Sequence, residues 1–139
     1  MRFIDSSVFL YAYLKPRKSL PDKIKTWKKR AKRIIERINM GEEVATSIVH
    51  VSEIANILEA RASTIVSLEI IEALLSKSNI HVYPVDQVDY IEALEIARYY
   101  IIGLNDALAV LLMKRYGIKE IYSYDSDFDK IEWIKRITS

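Results

Sequence analysis

Two kinds of hydrophobic pattern alternate along the chain. Short apolar segments bounded by polar or turn-forming residues are typical of strands buried in a sheet. Longer segments in which apolar residues recur every three or four positions are typical of amphipathic helices. We predict strands at residues 2–5, 43–47, 79–85, 120–124 and 133–137, a short apolar turn at 8–14, and helices at 22–39, 49–62, 64–75, 87–100 and 104–116.

Capping residues support several of these boundaries. Ser63 and Asp86 each precede a predicted helix, where a side-chain oxygen can accept a bond from a free backbone N–H group. Gly41 is expected to end the helix before it. Prolines bracket a predicted loop at residues 16–21, in which Ser19 is a candidate N-cap for the next helix.

Strands that alternate with helices predict a mainly parallel sheet with helices on both faces. The chain has 139 residues and shows no internal repeat, low-complexity stretch or linker. We therefore expect one three-layer α/β domain that spans residues 1–139, a usual length for a single domain.

Composition excludes several kinds of site and suggests a location. The chain has no cysteine, which rules out disulfides, thiolate nucleophiles and zinc–thiolate sites, and its two histidines are too few for a three-histidine metal site. The longest apolar run, at residues 107–113, is far shorter than a membrane span, and the N-terminus lacks the pattern of a signal peptide. We expect a soluble, cytoplasmic protein.

Charge is distributed unevenly. Residues 15–37 hold eleven Lys or Arg against two acids, whereas residues 38–139 hold nine against sixteen. A basic helix can be simply a solvated face, or it can follow a nucleic-acid backbone, and the two interpretations are compatible. The candidate RNA-binding residues are Lys25, Lys28, Lys29, Arg30, Lys32 and Arg33.

Acidic residues stand where a parallel sheet presents its ligand site, beyond the carboxyl ends of the strands. Asp5 ends the first strand, and Asp125 and Asp127 follow the fourth. Glu53 lies on the margin of an apolar helical stripe, and Asp106 opens a helix whose next seven residues are all apolar. All five positions therefore point towards the core or the edge of the sheet.

Each position also has a structural explanation when it is taken alone. Asp106 suits the first turn of a helix because of the helix dipole, and Asp5 could be an N-cap. Glu53 could face solvent at the edge of its stripe. The acids at 125, 127 and 129 could form a turn or half of a calcium loop, although the glycine and closing glutamate of that loop are missing.

Taken together, these acids favour a metal site. Four or five carboxylates at one place repel each other unless some are protonated or a cation neutralises them, and the sequence offers no obvious matching cluster of cations. Oxygen ligands select hard ions such as Mg²⁺ or Mn²⁺. Such ions activate water and stabilise the leaving oxygen when a phosphodiester is cleaved, so a metal-dependent nuclease is the chemistry that these residues favour.

Four short motifs with acidic residues occur in order along the chain. They are Phe3-Ile4-Asp5-Ser6-Ser7, Val51-Ser52-Glu53-Ile54, Leu104-Asn105-Asp106-Ala107-Leu108 and Ser123-Tyr124-Asp125-Ser126-Asp127-Phe128. In order and rough spacing they resemble the motifs of PIN-domain proteins and, among them, VapC-type toxin ribonucleases. The resemblance spans nearly the whole chain.

The resemblance implies a parallel sheet between helices and Mg²⁺- or Mn²⁺-dependent cleavage of RNA that leaves a 5′-phosphate. It implies a homodimer and a cognate antitoxin that inserts into the acidic groove. Ser7 stands where the family most often has asparagine, which indicates a rearranged polar contact. By resemblance, Asp5, Glu53, Asp106 and Asp125 are the catalytic and metal-binding acids, Asp127 is an added or alternative metal ligand, and Ser7 and Ser123 are supporting residues.

The sequence is also compatible with other functions and residue roles. A PIN-like module without catalysis would bind RNA or a protein and show no metal-dependent turnover. A receiver-type phosphoacceptor also gathers acids, but it needs paired acids after its first strand and a lysine after a late strand, which this chain lacks. His50, one turn before Glu53, is either structural or part of the site. The sequence does not rank Arg61, Lys114 and Arg115 as phosphate contacts.

Overall fold

The computed structural model of the protein describes residues 1–15 and 21–139. In this part of the chain, strands and helices alternate, and a 3₁₀ helix at Ser126–Lys130 precedes the last strand. The strands are β1 (Arg2–Ile4), β2 (Val44–Ser47), β3 (Ile80–Tyr83), β4 (Glu120–Tyr122) and β5 (Lys135–Ile137). The helices are α1 (Ser6–Tyr13), α2 (Asp22–Asn39), α3 (Ile48–Arg61), α4 (Thr64–Ser76), α5 (Gln87–Tyr100) and α6 (Leu104–Tyr116).

The five strands form one parallel sheet in the order β3-β2-β1-β4-β5. β1 is central, and Phe3 is in register with Ala45 of β2 on one side and with Ile121 of β4 on the other. The predicted α/β class and the parallel sheet are confirmed. Every strand pair is parallel, so the expectation of a mainly parallel sheet was conservative.

Adjacent residues of the central strands point to opposite faces of the sheet, as the strand geometry requires. Ile4 and Tyr122 join a buried cluster with α1, α2, α3 and α4. Phe3 and Ile121 join a second cluster with α5 and α6. The sheet is therefore the middle of three layers, and its strands are apolar on both faces.

Helix α2 has the predicted bounds, and Ala31, Ile34, Ile35 and Ile38 on one stripe are buried against the sheet. A polar contact adds to this packing at the fully buried Tyr122. Its hydroxyl donates to Glu42 at 2.9–3.0 Å and accepts from Arg2 at 2.7 Å and from Arg37 of α2 at 3.3 Å. The basic helix is thus fixed to the centre of the sheet.

Several predicted strands are too long, and the difference lies mainly at their ends. The segments predicted at 79–85, 120–124 and 133–137 form strands only over 80–83, 120–122 and 135–137. The strands predicted at 2–5 and 43–47 are each one residue shorter, because Asp5 already occupies the N-cap position of α1 and β2 starts at residue 44. The residues at these predicted strand ends instead begin a helix or make hydrogen bonds at the edge of the sheet.

Helix ends follow local chemistry. Ser63 and Asp86 accept bonds from backbone N–H groups of α4 and α5, as predicted. The apolar turn predicted at 8–14 belongs to α1, and Pro21 occupies the N-cap position of α2 without a side-chain bond. The predicted loop and the candidate N-cap Ser19 fall on residues 16–20, outside the described residues.

No single helix of the described segments is long and apolar enough to cross a membrane. Only α5 and α6 taken together meet that test, and they are bent by 108° relative to each other.

Candidate metal centre

Buried polar residues gather at the carboxyl edge of the sheet, where β1, β2 and β4 end. Asp5 follows β1, Ser47 ends β2 and Ser123 follows β4, and all three are buried. Buried polar groups need partners, because desolvating them unpaired is costly. Polar side chains are therefore retained inside the apolar core at this edge of the sheet.

Asp5 occupies the N-cap position of α1, but its carboxylate does not cap the helix. Instead Oδ2 accepts hydrogen bonds from Ser7 Oγ at 2.9 Å and from Ser123 Oγ at 2.8 Å. Among the described residues, Oδ1 receives no hydrogen bond. One oxygen is thus fixed by two hydroxyls, and the other is available to a ligand.

The same two hydroxyls also hold the segment after β4. Ser123 Oγ accepts from the backbone N–H of Asp125 at 3.0 Å, and Ser7 Oγ accepts from the backbone N–H of Tyr124 at 3.1 Å. Each serine donates to Asp5 and accepts from this segment. The position of Asp125 is thereby linked to that of Asp5 through two short hydrogen-bonded chains.

Three further carboxylates come together from α6 and the 3₁₀ helix. Oxygen atoms of Asp106, Asp125 and Asp127 all lie within 4.8 Å of one another, a separation that suits a shared metal ion. Asp125 also caps the 3₁₀ helix by accepting from the N–H of Asp127 at 2.9 Å.

The electrostatics of Asp106 bring the acids into one group. Burial, the charges of Asp5, Asp125 and Glu53, and a hydrogen bond to Asp125 together raise the pKa of Asp106 to about 7, and burial is the largest of these causes. The charges of three other predicted acids, which lie on α3 and after β1 and β4, therefore act on Asp106 at the same time. An uncompensated negative charge of this kind is what a divalent cation would neutralise.

Glu53 is half-buried on α3, so it does not simply face solvent at the edge of its stripe. Ser6 Oγ donates to Glu53 Oε1 at 3.5 Å. Ser6 and Ser7 stand side by side in the first turn of α1, and they reach different acids. Ser6 was not among the predicted site residues. The signal for it in the sequence was a second hydroxyl directly before the predicted supporting residue Ser7.

Cations approach only part of this cluster. Lys130 Nζ lies 3.3 Å from Asp127 Oδ1 and also donates to the carbonyl of Ile101 at 3.1 Å. Arg136 binds both oxygens of Asp129 at 2.9 and 3.0 Å and lowers the pKa of that carboxyl. Lys130 was not predicted as a neighbour of the acids, although its spacing of three residues from Asp127 was a signal for this contact.

His50 is fully buried beside this edge of the sheet. Its Nδ1 lies 2.6 Å from Ser47 Oγ, and its ring packs edge-on against Phe3. Burial lowers the pKa of His50, and the charges of Asp5 and Glu53 oppose that shift. These contacts favour the structural role for this histidine.

The six candidate cations of α2 have different surroundings. Lys28 Nζ donates to the carbonyls of Tyr11 and Leu14 at 3.0 and 2.6 Å and so closes the end of α1, and Arg30 donates to Thr138 at 3.4 Å. The remaining four are exposed and make no side-chain bond to the described residues; they are Lys25, Lys29, Lys32 and Arg33.

Aromatic packing places the basic helix next to the acidic edge. Trp27 of α2 stacks on Tyr124 with ring centroids 5.1 Å apart, and its edge meets Tyr11 at 5.6 Å. Lys23 lies 4.8 Å above the Trp27 ring. Because Tyr124 directly precedes Asp125, this stack joins the cationic helix to the segment that carries the acids.

Comparisons with solved structures show proteins of the same fold. Mycobacterium tuberculosis VapC20, described as a toxin that cleaves the sarcin-ricin loop, aligns with a TM-score of 0.69 and 20% identity over 93% of each chain. A toxin–antitoxin complex from Klebsiella pneumoniae aligns with a TM-score of 0.63 and 12% identity, over 97% of this chain and 96% of that one. Rickettsia felis VapBC2, bound to a DNA fragment from its promoter, aligns with a TM-score of 0.66 and 12% identity, over 98% and 96%.

No curated protein sequence matches this chain. The family model of the PIN domain, however, matches residues 2–134, which include every acid described above. The chain belongs to the PIN domain family.

Proposed function

We propose that this protein is a divalent-metal-dependent endoribonuclease and the toxin of a toxin–antitoxin pair. The observation that carries the proposal is the convergence of Asp106, Asp125 and Asp127, whose oxygens lie within 4.8 Å of one another. Family membership supports a nuclease, and the toxins among the structural neighbours support the biological role.

The side chains of this edge fit a hard cation. All of the candidate ligands are carboxylates, which favours Mg²⁺ or Mn²⁺ over softer metals. Asp106, Asp125 and Asp127 would hold the ion, and Asp5 and Glu53 would complete the acidic shell. When bound, a divalent ion supplies an activated water and stabilises developing negative charge on phosphodiester oxygens.

The residues of the chain have distinct tasks in this proposal. Ser7 and Ser123 orient Asp5 so that Oδ1 faces away from their hydroxyls. Ser123 also positions Asp125 through the backbone. The hydrolysis adds water across one P–O bond of the RNA, so that one product ends in a 5′-phosphate and the other in a 3′-hydroxyl.

Labelled single-stranded RNA, incubated with the protein in Mg²⁺, Mn²⁺ or EDTA, tests the catalytic claim. We expect cleavage that requires metal and is lost in Asp106→Asn. Asp129→Asn is the matched control, because Asp129 belongs to the same acidic segment but is bound by Arg136 and lies outside the cluster. Its activity should remain within about twofold of the unmodified protein.

The same assay separates the proposal from the alternative function. A non-catalytic PIN-like module would bind the RNA and leave it intact under all three conditions. Equal cleavage by the unmodified protein and Asp106→Asn would also contradict the proposal, because it would locate the activity elsewhere or in a contaminant.

Two kinds of partner accompany this proposal. RNA is the substrate, and the exposed cations of α2 are the candidate contacts to its backbone. A cognate antitoxin is the second partner, which the toxin–antitoxin complexes among the structural neighbours support, and we propose that it binds the acidic groove. Such a protein would act in the cytoplasm.

We also propose a homodimer, which large apolar side chains on the surface support. Val88 and Ile91 of α5 are 58% and 56% exposed, and Ile65 and Leu68 of α4 are 71% and 59% exposed. Surfaces of this kind commonly mark protein interfaces. Size-exclusion chromatography with light scattering should report twice the chain mass, and Ile91→Lys should shift the protein towards the monomer.

A further inference from the structure

A cavity of about 400 Å³ lies directly beside the acidic edge of the sheet. Ser7, which binds Asp5, forms one part of its wall. As far as the described residues bound it, the cavity lies between α1, α2 and α3, with Tyr11, Ile24 and Ile57 among its apolar lining. Its volume is in the range of small-ligand sites, which is about 300–1,000 Å³.

The charged groups around this cavity are all cationic. Lys15, Lys28 and Arg61 line it, and no carboxylate does so among the described residues. Lys28 is committed to the backbone carbonyls at the end of α1. Arg61 and Lys15 are both exposed and make no hydrogen bond or ion pair with the described residues, so these two cations can bind an anion there, and Arg61 is the one that lies on α3.

The structure also ranks the three cations that the sequence left unranked. Arg115 binds Asp89 at 2.6 Å and lies 3.7 Å from Glu92, so its charge is already paired. Lys114 is exposed on α6 but does not line the cavity. Arg61 alone among these three lines the cavity, which shares Ser7 with the acidic site.

We infer that this cavity receives the base of the nucleotide next to the scissile bond and that Arg61 contacts the phosphate of that nucleotide. The inference rests on the proposed function, because it places the cut phosphate at the acids. An apolar pocket with an aromatic wall and a cation at its rim suits a base and its phosphate, and single-stranded nucleic acid is commonly bound in this way.

The residue that the cavity shares with the acidic site favours RNA over a protein as the occupant. Ser7 belongs both to the wall of the cavity and to the hydrogen bonds that orient Asp5. A polynucleotide whose phosphate lies at the acids must place its neighbouring base close by. The cationic lining of the cavity is complementary to a polyanion. It would attract the adjoining phosphate of the RNA, which the acids would repel.

Binding of short RNA in EDTA tests this inference without any need for cleavage. The Asp106→Asn variant serves as the background, because it removes one repulsive charge and the proposed activity. Arg61→Gln, Ile57→Phe or Arg98→Gln is then added to this background. Fluorescence anisotropy measures how tightly each protein binds a normal and an abasic oligonucleotide. Arg98 is the matched control because it is a 71% exposed arginine on α5, on the other face of the sheet.

We expect Arg61→Gln to weaken binding about fivefold and to reduce the salt dependence by about 0.7 in the log–log slope, the value for one phosphate contact on a single strand. Ile57→Phe, which fills the cavity, should weaken binding of normal RNA about tenfold and leave binding of the abasic strand unchanged. Arg98→Gln should behave like the background.

The inference is overturned if Ile57→Phe affects normal and abasic strands equally, or if Arg61→Gln and Arg98→Gln have the same effect. Circular dichroism checks that each variant folds, and Leu10→Phe, on another wall of the cavity, replaces Ile57→Phe if that variant does not. Failure of RNA cleavage with this binding pattern intact would refute the proposed nuclease but not the base-binding cavity.

Discussion

Ser123 donates a hydrogen bond of 2.8 Å to Asp5, although 118 positions separate the two residues in the sequence. The bond crosses from the end of β4 to the end of β1, the central strand of the sheet. Ser123 also accepts from the N–H of Asp125. One hydroxyl thus sets the relative position of two acids from opposite ends of the chain.

Ser123→Ala should therefore weaken metal binding while the fold remains intact. The substitution removes the donor to Asp5 and the acceptor for Asp125, and residues that orient metal ligands in this way typically contribute 10–100-fold in affinity or activity. Isothermal titration with Mn²⁺ measures the effect. Ser126→Ala, an exposed serine three residues further on, should leave the affinity unchanged. Equal Mn²⁺ affinities in all three proteins would contradict the role given to Ser123.

Asp106→Asn should stabilise the metal-free protein, and more so at high pH. Because the folded-state pKa of Asp106 is raised to about 7, the folded protein binds a proton that the unfolded chain releases near pH 4. Stability is therefore lost as the pH rises from about 4 through 7. Because solvent screens this partly exposed carboxyl, the gain from Asp106→Asn should be no more than about 2 kcal/mol at pH 8, and it should be smaller at pH 5.

Urea unfolding in EDTA at the two pH values measures this difference. Asp129→Asn is a control of opposite sign, because Arg136 lowers the pKa of Asp129 and that carboxylate is stabilising above its unfolded pKa. It should gain no stability at either pH. A gain from Asp106→Asn that does not depend on pH would refute the electrostatic explanation.

Mn²⁺ should raise the thermal stability of the unmodified protein, and EDTA should reverse the effect. A ligand that binds only the folded state adds about 2.7 kcal/mol when its concentration is 100 times the Kd. Differential scanning fluorimetry across a Mn²⁺ series would follow the shift in Tm. Asp125→Asn should abolish most of it, whereas Asp129→Asn should retain it; the same shift in both variants would argue against the acidic cluster as the site.

Trp27→Ala should loosen the basic helix from the sheet. Trp27 stacks on Tyr124 and meets Tyr11 edge-on, so its removal deletes two aromatic contacts and leaves a gap in a partly buried cluster. We expect a loss of about 2 kcal/mol in the free energy of unfolding, measured by urea titration. Lys25→Ala, two residues earlier and exposed, should change it by less than about 0.5 kcal/mol.

Periodicity and capping were sufficient to predict most of the fold. Residues 22–39 form a helix as predicted, because one apolar stripe is buried and a proline stands at its start. Residues 87–100 do so because Asp86 and Asp89 cap each other's backbone N–H groups. These signals are local, and a sequence displays them directly.

The strand ends and the surroundings of the site were harder to predict, because they depend on contacts between distant parts of the chain. Residues 120–124 are apolar enough for one continuous strand, yet pairing stops at Tyr122 because Ser123 and the N–H of Tyr124 bond to residues of the first motif. The contact of Lys130 with Asp127 and the cavity at Arg61 depend on how helices cross the sheet. Such placements arise from long-range packing, which no window of the sequence contains.

The central position of β1 between β2 and β4 has a consequence for the timing of synthesis. Asp5 is translated more than a hundred residues before its partner Ser123 and the acids at 125 and 127. Before β4 leaves the ribosome, the growing chain already contains Asp5, Glu53 and Asp106. It still lacks the strand that brings Asp125 to them. The acidic cluster is therefore complete only after β4 and the segment that follows it have left the ribosome, so the growing chain carries no complete cluster before that point.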